Sequence, residues 1–396
     1  MLATLRHYPL AVNLLLASAF LLTLGRAITL PYLVIYLTSH YGLDVSAVGA
    51  VIGGALVAGS VLSLYGGYLT DRLSPYRLIL GFTGCFVAGF VGMCLTSSLT
   101  VFFLFLVAFN FAYSVIDVVA KASFGRLLPD HEQARVFSLR YTLINIAYAV
   151  GPFMGAGLAG VSLQLPFMLS ALLGVVFLGL YALYGDRHLS GPEAASEGFS
   201  FMRVGQVLLK DRRLVCFTVG GILSAVVFGQ FTAYLSQYLV LTSDPQQVYA
   251  VISTVLAVNA SVVIGLQYAV GKHIDAQRLT PWLIVGLALF LAGLVGFSVA
   301  HSLTAWALAM FIFTLGEIIV FPAEYMFIDR IAPTHLRGMY YAAQNLSNLG
   351  GALGPVVCGL ALAWLAPAAM FYVLAAFLVV GGALYVLGGS LAEKVG

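Results

Sequence analysis

Twelve stretches of about twenty apolar residues, joined by short polar junctions, leave this chain very few folds to choose from. As an α-helix rising ~1.5 Å per residue, a run of that length crosses a ~30 Å hydrocarbon layer and satisfies its own backbone polar groups there. The spans cover roughly 10–37, 45–70, 76–97, 100–127, 134–160, 164–185, 214–241, 247–270, 280–300, 304–328, 337–364 and 367–390. A soluble alternative would need a charged shell, and with 61% hydrophobic and only 8% charged residues among 396 that shell is missing. The predicted fold class is an all-α polytopic membrane protein of twelve transmembrane helices. Residues 1–12 read as a short lead into span 1, with no small-residue cleavage site behind a short apolar region, so no removed signal peptide is expected.

One connection is long. Residues 186–213 begin polar and rich in Gly, Pro and Ser, then become a basic amphipathic stretch, FMRVGQVLLKDRR, suited to the membrane surface. This linker separates an N-terminal six-helix half, 1–185, from a C-terminal one, 214–396. Basic residues orient the spans. Fifteen of the eighteen Lys and Arg fall at the termini and at the even-to-odd junctions, and none at the odd-to-even junctions, so both termini are expected in the cytoplasm. The halves repeat as well. Gly25-Arg26 recurs 204 residues later as Gly229-Gln230, Arg126-Leu-Leu-Pro129 as Arg330-Ile-Ala-Pro333, and Gly151-Pro152 at an offset of 203 as Gly354-Pro355, with Asn145 matched by Asn348. Several matches in one order at nearly one offset indicate a duplicated unit.

The remaining three basic residues, Arg26, Lys121 and Arg140, lie inside spans 1, 4 and 5, and three acids lie inside too: Asp117 in span 4, Glu317 and Glu324 in span 10. A charge near the bilayer centre costs at least ~2.5–3.5 kcal/mol, so these groups face protein or water. Three against three suggests pairing, and Asp117–Lys121 has the i,i+4 spacing of an ion pair. Lys121 and Arg140 lie within ~10 Å of the cytoplasmic end, where snorkelling is the competing reading. Glu317 and Glu324 are two turns apart and share a face, roughly 18 Å and 7–8 Å inside from Asp329. Pro322 between them frees the carbonyl of Ile318. A carboxyl withdrawn from water takes a proton more readily, which suits a proton carrier. The plainer reading is that both glutamates only hold helices together through basic partners.

The polar faces of spans 1, 4, 7 and 10 are expected to meet around an aqueous cavity. Candidates for its wall are Asn110, Tyr113, Tyr141, Asn145, Gln230, Tyr234, Gln237, Phe313 and Phe321, beside the three cations and three acids. Four scattered cysteines suggest neither disulfides nor a zinc site, and no cofactor or metal is expected. A net charge of +3 gives no case for nucleic acid, and seven histidines near ends and loops form no catalytic set, so an enzyme is not expected.

The junction after span 2 reads Gly67-Tyr-Leu-Thr-Asp71-Arg72-Leu-Ser-Pro-Tyr-Arg77, which resembles the loop signature of the major facilitator superfamily, with Ser74 and Tyr76 departing from it. At the cognate place, 267–272, only the basic position, Lys272, is read as kept. In span 5, Ala147-Tyr-Ala-Val-Gly151-Pro152 is similar to the Gly-Pro motif of that superfamily's antiporters. The 316–324 segment of span 10, together with Arg26 and the 113–121 stretch, looks like its bacterial drug and dipeptide exporter branch. The resemblance implies two pseudo-symmetric six-helix halves in a bacterial cytoplasmic membrane, a monomer in the lipid bilayer, and no nucleic-acid partner. It also implies proton-coupled export of a small amphipathic or zwitterionic molecule, such as a drug, a dipeptide or a sugar. Proton-coupled uptake or facilitated diffusion on the same fold stays open. Gly67, Asp71, Arg72, Arg77, Gly151 and Pro152 would form the conformational gate. Asp71, at the end of span 2, is placed to meet the end of another helix.

Overall fold

The computed structural model describes residues 8–187, 201–229 and 231–391, and among these the regular structure is helical throughout. The first six spans are α1 (Leu10–Tyr41), α2 (Val45–Thr70), α3 (Pro75–Leu95), α4 (Leu99–Leu127), α5 (Asp130–Ala159) and α6 (Leu165–Tyr184). A short helix, α7 (Phe201–Lys210), follows and buries Val204 and Leu208, four residues apart, while Met202 and Leu209 stay exposed. It forms where the basic amphipathic stretch predicts a helix. Span 7 is broken into α8 (Arg212–Phe228) and α9 (Phe231–Thr242), bent by 43°. The rest are α10 (Pro245–Gly271), α11 (Leu279–Ser298), α12 (Leu303–Ile331), α13 (Arg337–Gln344) with α14 (Asn348–Trp364), and α15 (Ala369–Ser390). A 3-10 turn at Asn345–Ser347 joins α13 to α14 within span 11. Among the described residues, eleven spans are long and apolar enough to cross a membrane, and the α8–α9 pair makes twelve.

The surface is inverted relative to a soluble protein. Phe153 is 81% exposed and Trp364 83%, while Asp71, Lys121, Arg140, Glu317, Glu324 and Asp329 are buried. That is the pattern of a chain solvated by lipid, where polar groups turn inward and apolar ones outward. Helix starts carry local signals: Asp44 caps α2 by accepting from Ala47 N at 2.7 Å, and Asp244 caps α10 by accepting from Gln247 N at 3.0 Å.

The chain forms two compact units. Unit 1 comprises Met1–Pro129, Leu139–Phe201 and Pro333–Ala342; unit 2 comprises Asp130–Ser138, Met202–Ala332 and Ala343–Gly396. In unit 1, Gly151 and Gly155 let α5 approach the α1 backbone at Ala27 and Ile28. In unit 2, Gly350 and Gly354 let α14 approach α8 at Ile222 and Val226. Small residues set this close packing between membrane helices, because lipid supplies no hydrophobic drive for it. The two contacts are counterparts under the 203-residue repeat.

Candidate functional site

In unit 1, Asp117 of α4 takes two cations. Lys121 Nζ lies 2.9 Å from Oδ2, and the Arg140 guanidinium of α5 donates to Oδ1. Both cations are 2% exposed. They are buried partners of one carboxylate and do not snorkel, and the one-to-one pairing expected from the count of charges is replaced by two cations on one acid. Arg26 of α1 lies over the Tyr113 ring, 4.9 Å from its centroid, and Tyr113 is fixed by a 2.8 Å hydrogen bond with Thr23. Arg26 is half-buried and its Nε has no hydrogen-bond partner among the described residues. A narrow cleft of about 10 Å³ lies beside Tyr113, lined by Ser18, Ala19 and Leu22 of α1, by Tyr113, Ile116, Asp117 and Ala120 of α4, and by Arg140.

The other expected wall residues of this unit divide. Asn145 is half-buried and donates to Tyr141 O at 3.0 Å, and Tyr141 is buried. Asn110 is 4% exposed and turned onto α2: a Cβ on Gly59 would stand 2.9 Å from its own Cβ.

In unit 2, Glu317 of α12 accepts from Asn259 Nδ2 of α10 at 2.6 Å, and the same amide reaches Thr314 Oγ1 at 3.2 Å. The carbonyl of Ile318, which Pro322 deprives of its partner within the helix, accepts from Gln267 Nε2 at 3.0 Å. Glu324 accepts a short hydrogen bond from the Tyr385 hydroxyl of α15, and both side chains are buried. The two glutamates therefore engage different helices, α10 and α15, although two turns of spacing give them one face.

Phe313 is fully buried against Phe290 and Phe297 of α11, at centroid distances of 4.5 and 5.7 Å, so it belongs to helix packing rather than to a cavity wall. Phe321 is half-buried on Phe228, and Gln237 is half-buried. Tyr234 is completely buried, its hydroxyl without a partner among the described residues. Gln230 lies outside the described residues.

At the end of α2, Asp71 is 5% exposed and accepts from the backbone N–H of Gly338 at 2.7 Å and of Met339 at 2.8 Å. These are orphan donors in the first turn of α13, where the helix dipole also favours an anion. Arg126 stands 3.7 Å from Oδ1. Gly67 makes room for this docking, since a Cβ there would meet Gly338 O at 2.6 Å. Arg72 lies over the Tyr68 ring, and Arg77 is exposed. The cognate contact exists in unit 2, where Gly271 packs on Ser138. The same Gly-to-Asp spacing is present there as Gly271 and Asp275, so the counterpart of Gly67 lies four residues beyond Gln267, where the sequence alignment of 267–272 put it. Asp275 is exposed and caps Gln277 N instead.

The Major Facilitator Superfamily profile matches residues 15–355. The chain belongs to this superfamily. Among its relatives, an uncharacterized transporter of the superfamily from Escherichia coli, YdeE, is 36% identical over 96% of this chain and 95% of its own length. A Na(+), Li(+), K(+)/H(+) antiporter from Planococcus maritimus is 27% identical over 98% of both chains. The crystal structure of the superfamily transporter FucP in the outward conformation superposes with a TM-score of 0.78 at 14% identity, over 96% of this chain and 99% of that one. As a major facilitator, the protein is a multi-pass membrane transporter of a small-molecule substrate, and not an enzyme.

Asn259, Gln267, Tyr385 and Thr23 were not singled out in the sequence. Asn259 and Gln267, both inside span 8, were the available signal, since amides in an apolar span need partners. Tyr385 reads as an ordinary apolar-span aromatic, and its role as a donor depends on where α15 docks.

Proposed function

We propose that this major facilitator is a proton-coupled antiporter that exports small zwitterionic or amphipathic molecules by alternating access, with Glu317 as the principal proton carrier. The observation that carries this reading is the Asn259–Glu317 pair, a deep carboxylate held by a neutral amide. An amide offers both a donor and an acceptor, so it can hold the glutamate ionised or protonated. Glu324, hydrogen-bonded to Tyr385, is a second protonatable group, and Asp117, bound to Lys121 and Arg140, is the third candidate.

Substrate class follows from the chemistry of the two units. Arg26, with an unsatisfied Nε beside the Tyr113 ring, suits an anionic or aromatic group. Glu317 suits a cationic one. A zwitterion, such as a dipeptide, has a group of each kind, and a cationic group that displaces a proton from Glu317 couples its own binding to proton release. The Asp71–α13 contact acts as the lock of one state, at the cytoplasmic face where the basic junctions place it. Gly151 and Pro152 support close sliding of α5 on α1.

Glu317, Asn259 and Thr314 also form an oxygen-bearing set that could take an alkali cation, the substrate class named for the Planococcus relative. One experiment separates these readings. Purified protein in proteoliposomes is given an imposed pH gradient and screened with dipeptides, sugars, cationic drugs, Na+ and K+. Gradient-driven movement of an organic zwitterion against the proton flux supports the proposal. Movement of Na+ or K+ alone assigns the cation reading, and co-movement with protons makes the protein an importer.

A further inference from the structure

Asn259 and Gln267 stand eight residues apart on α10, yet they bind neighbouring residues of α12. Asn259 donates to the Glu317 side chain and Gln267 to the Ile318 carbonyl. The ~12 Å between them along α10 closes because helical side chains lean toward the N-terminus while carbonyls point toward the C-terminus. The helix ends keep the same order: Arg330 reaches the carbonyl of Ala276, 3.5 Å away. Gln267 is 0% exposed and has one specific task, since Ile318 O is the acceptor that Pro322, lacking an N–H, cannot serve. A buried carbonyl left unserved in a membrane is expensive, so a helix with this proline needs an outside donor.

We propose that Asn259 and Gln267 are positioning residues that form a latch, linking the protonation of Glu317 to the bend of α12 at Pro322. The inference rests on the reading of Glu317 as proton carrier. While Glu317 is ionised, Asn259 gives it a charge-assisted hydrogen bond, and α12 is held at two adjacent points. When a proton from water settles on Glu317, that bond becomes a neutral one of roughly half the strength. The turn carrying Glu317 is then free to shift, and because Ile318 follows directly, its carbonyl moves relative to Gln267. The kink can then close or open further. When Glu317 returns its proton to water, the charge-assisted bond regains its strength and draws the turn back, resetting the second contact.

The test uses two readouts on the full chain. In Pro322→Ala, residue 322 gains the N–H that Ile318 O lacks, so Gln267 becomes redundant. Gln267→Met, of similar length and without a hydrogen bond, should lower the melting temperature by several degrees in the wild-type background and leave it unchanged in Pro322→Ala. An equal loss in both backgrounds would show that Gln267 merely packs, and would overturn the latch. The second readout is the distance between spin labels at Leu308 and Arg330, on either side of the proline, in lipid nanodiscs at acid and alkaline pH, with protons as the only ligand. Wild type should show a pH-dependent distance, and Asn259→Ala and Gln267→Met should each abolish that dependence. If Glu317→Gln abolishes it while the other two variants retain it, the latch is wrong and the proton reading stands. If Glu317→Gln retains it, the proton reading itself fails.

Discussion

Asp117 is a single carboxylate that compensates two buried cations. Removing its charge breaks both of these buried ion pairs, at a cost of roughly 3–5 kcal/mol. Asp117→Asn is therefore expected to express poorly and melt well below wild type in detergent, and adding Lys121→Met should recover part of the loss. Asp71 makes a different residue-level prediction. Burial pushes its carboxyl up to about 7, against the pull of the Met339 and Gly338 N–H groups and of Arg126. An exposed aspartate titrates near 3.8, so the docked form binds its proton more tightly than the undocked one. Docking is thus fully favoured below about pH 4 and weakens as pH rises through about 7. Spin labels at Leu73 and His335 should show the distance broadening over that range, and Asp71→Asn, neutral at every pH, should show a flat response. At this scale the sequence was partly legible. Glu317, Glu324 and Asp117 stand out because charge is rare in apolar spans, but their partners do not. Nothing in the order of residues says that Arg140 lies on Asp117, or that an amide of α10 faces Glu317, since those depend on helix rotation and docking.

Helices were legible in extent because apolar length and basic flanks mark them directly. The break in span 7 was not, although Gly229 stands at it, and neither was the side each aromatic faces. Phe313 shares its face with Glu317 by periodicity and is nevertheless sealed against α11, because the neighbouring helix, and not periodicity alone, decides what a face meets. Glycine on α5 gives a clean test of how elements pack. A Cβ at Gly151 would stand 2.9 Å from Ala27 C and 3.1 Å from Ile28 N, whereas one at Gly157 would meet nothing within 4 Å. Gly151→Ala should cost roughly 1–3 kcal/mol through overpacking against backbone that cannot rotate away. Gly157→Ala should be neutral or slightly stabilising, since alanine is the better helix former by about 1 kcal/mol. Melting curves of the two variants, matched for residue type and helix, would check the difference.

For the whole molecule, the duplicated plan could be read from repeats at one offset, and it reappears as paired glycine contacts of α5 on α1 and of α14 on α8. Its asymmetry could not be read. Asp71 docks on a helix N-terminus while its counterpart Asp275 is exposed, a difference carried by tertiary placement and not by spacing. The basic residues lead to the expectation that both termini are cytoplasmic: single cysteines at Ser98, Gln164 and Ser302 should react with impermeant reagents from outside the cell, and labelling from the cytoplasm only would invert the topology. Proton coupling through Glu317 is the central claim. In proteoliposomes under an imposed pH gradient, with the zwitterion found by the substrate screen, wild type should accumulate it. Glu317→Gln should still bind and exchange it across the membrane with no gradient-driven accumulation, because glutamine mimics the protonated state at nearly the same size. Accumulation at the wild-type rate in Glu317→Gln would contradict the account and leave Glu324 or Asp117 to carry the proton.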